Sequence, residues 1–575
     1  VPARRQHGSI AVTAAIFLGL AVVALGSLDI GNVYYARRQL QRTADMAALA
    51  GVQVISTPSG CTAVTNAAQL NATSNGFTAD GKTTTLTTTC GRWDTTSKTY
   101  FGTTGNPLNA VQVKAAQKVP YLFLGPARNV SATATALSTN IDAFSLGTSL
   151  ATINTQQSAL LNAILGGLLK STVSLSVGDV QSLATAHIKL GDLMTALSAS
   201  TMQGLLQTTV SYQNLMLAMV AALQAGGDTI NAAILQKVAV SIPGGQNITI
   251  GDGGTSAPGL LALGLANANS AATATINAFD ALMVAAQIAQ SNASGTAPVI
   301  NVAAGIAGVA GLTLQVIHPP VLAVGEAGTN ADGTPRTKAR TAVVNATVQL
   351  TPVLFANPLV IGVPGVLAVS VSALSTPLVL SLNAGSGKAV LTSVDCESSK
   401  AATNAVITAK PAIANVCLSG STSCSGSVNV ASVTASVPLL TVTVANVALN
   451  STGWLSLGPS ASTPLTFNGS TGSFDSTQSV NSNAIGSDAS ALTTGVLNVL
   501  PTMLQIGLLN NAINISSLLQ PILTGVANAL TPLLTPVFGL LDTVLVPTLS
   551  LLGAQVGIAT VHNMSLQCGV AQLVN

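Results

Sequence analysis

From Gly8 to Leu28 the chain carries no charged side chain, and Asp29 is the first to interrupt the run. About 20 residues rising ~1.5 Å each cross a hydrocarbon core of ~30 Å, so the segment predicts a transmembrane helix. Its candidate membrane-anchor residues are Gly8, Ile10, Phe17, Leu18, Leu20, Val23, Leu25 and Leu28. Arg4 and Arg5 precede the run, and Tyr34 and Tyr35 follow it where an interfacial aromatic belt would lie. A cleaved signal peptide and a buried core helix are the alternatives. The first would have a shorter apolar core and a small-residue exit, so the pattern favours a retained anchor. Arg37, Arg38 and Arg42 outnumber Arg4 and Arg5, so the positive-inside rule does not fix the orientation. The cysteines and the hydroxyl-rich remainder favour an amino end inside and a bulk outside.

Helical character continues past the anchor. Residues Asp29 to Ala50 contain no proline, and Gly51 supplies a stop. Leu40, Ala44, Ala47 and Ala48 share one face, a stripe small enough for close packing. That stripe can meet the protein's own domain or a second anchored subunit.

These residues also carry a resemblance. Arg4-Arg5-Gln6-His7-Gly8 before the apolar run, Asp29-Ile30-Gly31 after it, and Leu40-Gln41-Arg42-Thr43-Ala44-Asp45-Met46-Ala47-Ala48-Leu49-Ala50-Gly51 resemble the TadE/TadG-like family of Flp (tight adherence) pilus-assembly proteins. The signature positions are Asp29, Gly31, Leu40, Gln41, Ala44, Asp45, Ala47, Ala48 and Gly51. Strand-like alternation at Ala110–Val113 and Val130–Ala136 extends a weaker similarity to about residue 140. Members processed by prepilin peptidase carry a glutamate five residues into the mature chain. Thr13 holds that place after Gly8, so the chain looks like the unprocessed TadG type. The resemblance implies a bacterial inner-membrane, single-pass protein whose partners are membrane lipid and other pilus-assembly or envelope proteins.

Charged residues make up 6% of the 575 and aromatics 3%, so hydroxyls and amides must solvate the surface. With a net charge of +3 and no basic patch, nucleic acid has no electrostatic footprint here. The cysteines are Cys61, Cys90, Cys396, Cys417, Cys424 and Cys568. An even count outside the anchor, with no CxxC pair, suits disulfides in an oxidising compartment, with buried free thiols as the alternative. Only Cys61–Cys90, closing a short local loop, is singled out as a pair.

The expected architecture is α+β, one N-terminal transmembrane helix followed by mixed extracytoplasmic domains. Residues 1–51 form the stub, anchor and helical extension; 52–145 a small strand-rich domain pinned by Cys61 and Cys90. Residues 146–330 are mainly helical, with Asp179 as an N-cap and short strands at Val173–Val177 and Ile248–Ile250. Residues 331–490 are strand-rich and end in a Ser/Thr/Gly/Asn linker over 450–490; 491–575 hold short apolar helices and a terminal strand. Val111–Thr139 and Val343–Thr376 read as a duplicated strand pair or a chance echo. The charge-free stretch between Asp488 and Asp542 is broken by Pro521, Pro532 and Pro536, which favours short helices over a second span.

No nucleophile elbow, paired-carboxylate site or zinc spacing is present, and no cofactor or small-molecule substrate is expected. His7, His187, His318 and His562 read as structural, with His187 in a helical stripe and His562 on an apolar strand face. Asp252 reads as a turn residue. A structural component of pilus assembly or secretion is therefore expected, with a surface adhesin as the alternative and an envelope enzyme disfavoured.

Overall fold

The computed structural model describes residues 7–480 except 96–98, 124, 148–154, 173, 243–245, 293–298, 303–308, 351–358, 364–366, 373–377, 438–439, 452, 458–460 and 471–473, together with 504–508 and 545–574. The architecture is α+β, a long N-terminal apolar helix followed by mixed helix and sheet.

Helix α1 (His7–Val52) runs unbroken, as a proline-free sequence allows, and ends one residue beyond Gly51. Helix α2 (Gly60–Ser74) returns beside it. Strand and loop are expected here from the sequence; the Ala- and Asn-rich segment is helical instead, because Val64, Ala68 and Ala72 make one buried face. A sheet follows: β1 (Thr84–Trp93), β2 (Phe101–Gly102), β3 (Ala110–Val119) and β4 (Arg128–Leu137), ordered β2-β1-β3-β4. Its far edge is closed by Gln572–Val574, which pairs with β4. Alternation drives this sheet: Val111, Val113 and Ala115 on β3 and Ala132, Ala134 and Ala136 on β4 point at α1 and α2.

Strand β5 (Ile141–Leu146) leaves that sheet for another, whose order is Ser476–Val480, Ala559–Gln567, β5, Leu322–Gly325 and Leu261–Gly264. Five segments far apart in sequence thus share one sheet, and β5 is buried along its whole length. Its side chains feed two cores, Ile141 and Ala143 one, Phe144 and Leu146 the other. The larger core is helical on one side, with Thr155–Leu169, Tyr212–Ala225, Thr229–Ser241 and Ala278–Asn292. A six-stranded sheet from Val299–Val302 to Leu455–Leu457 forms its other wall. The methionines Met202, Met216, Met219, Met283 and Met564 fill gaps in this core.

Several local expectations change. Of the strand expected over Val173–Val177, the described residues 174–177 are not strand. Ser176 is the N-cap of Val177–Ala184, and Asp179 completes a capping box at the third helical position. His187 opens the strand His187–Lys189 instead of lying in a helix. The echo between residues 111–139 and 343–376 is not a repeated hairpin: β3 and β4 pair, whereas Val343–Leu350 and Leu367–Ser372 belong to different sheets. Of the linker expected over 450–490, the described residues carry the strands Leu455–Leu457, Thr463–Asn468 and Ser476–Val480, and 481–490 lies outside the described residues. Between Asp488 and Asp542 only the strand Leu504–Leu508 is described, and the choice of short helices over a span there lies outside the described residues.

All six cysteines are paired, as Cys61–Cys90, Cys396–Cys568 and Cys417–Cys424, with Cα separations of 6.0, 5.9 and 5.8 Å. The first links α2 to β1. The first sheet is also tied to the rest by charge: Arg92 on β1 meets Glu326 at 2.7 Å with both side chains buried, and Glu326 accepts from the Ala266 N–H.

Candidate membrane anchor and the sheet that holds it

Helix α1 divides into two halves of opposite character. Ile10, Phe17, Leu18, Leu20, Val23 and Leu28 are exposed along the first half, and Leu25 is partly covered. Gly8 lies in the first turn. In the second half Leu40, Ala44, Ala47 and Ala48 are buried against β3, β4 and α2. The small stripe therefore meets the protein's own domain, and it is not free for a second subunit. Alanine at three of these positions lets the helix lie close on a sheet that is itself alanine-rich.

Of the remaining signature residues, Gln41, Asp45 and Gly51 lie along or beside this contact. Gln41 donates to Asp45 at 2.7 Å and reaches the Thr133 carbonyl of β4 at 3.4 Å, so an i, i+4 pair also touches the sheet. A Cβ added to Gly51 would lie 3.2 Å from Val64 Cγ1 and 3.4 Å from Val111 Cγ1, so no side chain larger than alanine fits where α1 crosses α2 and β3. Gly31 faces open space and has no such constraint.

Asp29 stands at the boundary between the halves and is only 1% exposed. Its Oδ1 accepts the Leu122 N–H at 2.7 Å and its Oδ2 the Phe123 N–H at 3.1 Å. Asn32, one turn on, donates to the Pro120 carbonyl at 3.4 Å. The loop between β3 and β4 is thus clamped to the helix by a carboxylate satisfying two backbone donors. Gly26, one turn earlier on the same face, is buried as well.

A second cluster of ionisable groups lies far from α1. His562 on the strand Ala559–Gln567 has Nδ1 3.0 Å from Asp280 and Nε2 2.6 Å from Asp475. Asp475 also meets His187 at 3.2 Å, and Ser145 of β5 donates to Asp280 at 2.7 Å. Asp280 is fixed at the start of its helix, where Asn277 accepts from the N–H groups of Phe279 and Asp280. Burial would lower the His562 pKa, but the charge and hydrogen bond of Asp280, then those of Asp475, push it up to about 10. Burial opposes ionisation of Asp475, yet hydrogen bonds from His187 and His562 hold it below the usual carboxylate range.

Both ring nitrogens of His562 are therefore occupied by carboxylates, and the Ser145 hydroxyl is bonded to Asp280, not to the imidazole. A nucleophilic triad needs the serine on the ring, so this geometry braces the sheet against the helix and does not activate Ser145. His562 lies on a strand, as its sequence pattern predicts, but nothing in that pattern announces the carboxylates around it. Asp252, read from the sequence as an isolated turn residue, makes a two-bond pair with Arg340, both at 2.7 Å. His318 ends the strand Val309–His318. Among the described residues no group of three or more His, Cys, Asp or Glu is arranged to hold a metal ion.

Three family models match the chain. Residues 8–54 match one described as a putative Flp pilus-assembly TadE/G-like family, and residues 50–136 match a putative Tad-like Flp pilus-assembly domain. Residues 157–287 match a domain of unknown function (DUF8293). No curated protein and no solved structure matches. The first two matches meet at the Gly51 crossing and together span α1, α2 and the sheet through β4.

Proposed function

We propose, from the premise that the chain belongs to the TadE/TadG-like Flp pilus-assembly family through residues 8–136, that it is a membrane-anchored structural component of the bacterial inner membrane whose bulk lies outside the cytoplasm. The family is one of pilus assembly and is structural, not enzymatic. The observation that carries the finer reading is the division of α1. Its first half leaves Ile10, Phe17, Leu18 and Val23 exposed, which a bilayer would cover, while its second half is the core of the first domain. Three disulfides suit an oxidising exterior. Thr13 in place of a glutamate supports the unprocessed TadG type.

On this reading α1 is a rigid post. It holds the domain at a fixed height, and confinement to the membrane plane raises the effective concentration seen by other assembly components. Alkaline carbonate washing and a periplasm-dependent reporter fused after Val52 test it. Retention in membranes with an active reporter is expected. Release of the full-length chain, or reporter activity confined to the cytosol, would overturn it.

A further inference from the structure

The clamp between Asp29 and the β3–β4 loop fixes more than a turn. Val119 and Arg128 are the last paired residues of the hairpin, and the described residues between them, 120–123 and 125–127, form its tip. Leu122 and Phe123, whose N–H groups Asp29 accepts, are 65% and 51% exposed. The bonds run to the last turn of the charge-free segment, and Gly26 is covered at the same level. Two large apolar side chains are therefore held, projecting to solvent, beside the outer end of the proposed span.

We infer that the β3–β4 tip is a second membrane-contacting element, seated in the interfacial layer of the same bilayer that α1 crosses. This rests on the anchor reading above. The occupant is lipid, because the tip is bonded to Asp29, whose neighbours on α1, Leu28 and Ile30, are exposed apolar side chains at the same level. The surrounding charge fits an anionic headgroup layer: Arg37 and Arg38 on α1, Lys118 near the end of β3 and Arg128 at the start of β4 are all exposed. Arg37 lies about 12 Å along the helix from Asp29 at ~1.5 Å per residue, within reach of headgroups when Asp29 sits at the hydrocarbon edge. Asp29, which would be costly beside lipid, has its oxygens satisfied by the tip itself. Two attachments would fix the rotation of the domain about the helix axis as well as its height.

Tryptophan depth measurements test this on the full chain in vesicles of phosphatidylcholine and phosphatidylglycerol. Trp93 and Trp454 are replaced by Phe, and a single Trp is placed by Leu122→Trp or, in a parallel protein, by Leu18→Trp. The expected result is blue-shifted emission from both, with position 122 quenched more by bromines near the headgroups and position 18 more by bromines deep in the acyl chains. Quenching at 18 with water-like, unquenched emission at 122 overturns this inference and leaves the anchor standing. No quenching at either position overturns both.

Discussion

His562 Nε2 lies 2.6 Å from Asp475 Oδ1, and this contact joins a strand near the carboxyl end to the segment leading into Ser476–Val480. With Asp280 on the other ring nitrogen, the imidazole is held charged between two carboxylates.

The pH dependence follows. A raised histidine pKa means that its stabilisation is complete below the unfolded value of about 6.5 and is lost as pH rises toward about 10. The lowered Asp475 pKa contributes stability above the ordinary carboxylate value and loses it as pH falls further. His562→Gln should cost about 2–4 kcal/mol at pH 7, since it strands two carboxylates, and should flatten the loss between about pH 7 and 10. Hydrogen-exchange protection of Ala559–Gln567 measures it, and equal protection in both proteins would refute the network's contribution.

Asp142 on β5 is fully buried, and desolvation pushes its pKa up to about 8, a rise that the nearby Asn563 amide opposes only in part. The folded protein takes up a proton here, so stability should fall as pH rises from the ordinary carboxylate value of 3.8 toward 8. Asp142→Asn should be nearly neutral at about pH 4 and stabilising by about 1–3 kcal/mol at about pH 8. Denaturant titrations at the two values give the difference, and a gain independent of pH would contradict the assignment.

At Gly51 two small effects compete. Alanine gains about 1 kcal/mol of helix propensity and presses on Val64 by a few tenths of an ångström, so Gly51→Ala should be close to neutral. Gly51→Leu has no room between Val64 and Val111 and should cost about 1–3 kcal/mol. Thermal melts of the pair separate crowding from propensity: equal melting temperatures would mean the crossing is loose.

The disulfides close loops of sequence separation 172, 29 and 7. A chain-entropy account predicts losses of about 5, 3.5 and 2.5 kcal/mol on removing Cys396–Cys568, Cys61–Cys90 and Cys417–Cys424 as Ser pairs. The ranking is the test. Denaturation midpoints in the reverse order would show that local strain or residual structure dominates.

Asp29→Ala removes both acceptors for the tip, whereas Asp29→Asn keeps one carbonyl oxygen. The Leu122 and Phe123 amides should exchange faster in the order wild type, Asn, Ala, with the β3–β4 ladder unchanged. Unchanged exchange at the tip in Asp29→Ala would mean the clamp does not hold it.

Much of the amino-terminal structure is legible in the sequence because its causes are local. A charge-free run, a proline-free extension and alternation at Val111–Val113 each write their element into adjacent residues. Helix α2 is hidden because its buried face is made of alanine and valine in an Asn- and Thr-rich context, where periodicity is faint. Ser176 and Asp179 are both plausible caps, and only backbone geometry assigns the box. What joins distant segments leaves no local trace. His562 lies 282 residues from Asp280 and 87 from Asp475, and β5 finds a partner strand only at Ala559–Gln567 and Leu322–Gly325. In the sequence nothing next to any of these residues marks its distant partners. Only the bulge between Asn563 and Ser565 shows how one strand serves both cores, with Met564 in one and Leu566 in the other.

The strand Gln572–Val574 completes the same sheet that α1 lies on, and Cys568 beside it is bonded to Cys396. If the bulk leaves the cytoplasm from its anchor-proximal part onward, the edge of β4 stays open until residues 572–574 have followed. On the proposed topology, closure of this sheet is a late event of export, and a molecule interrupted before residue 572 would display an open strand edge, a ready mark for quality-control proteases.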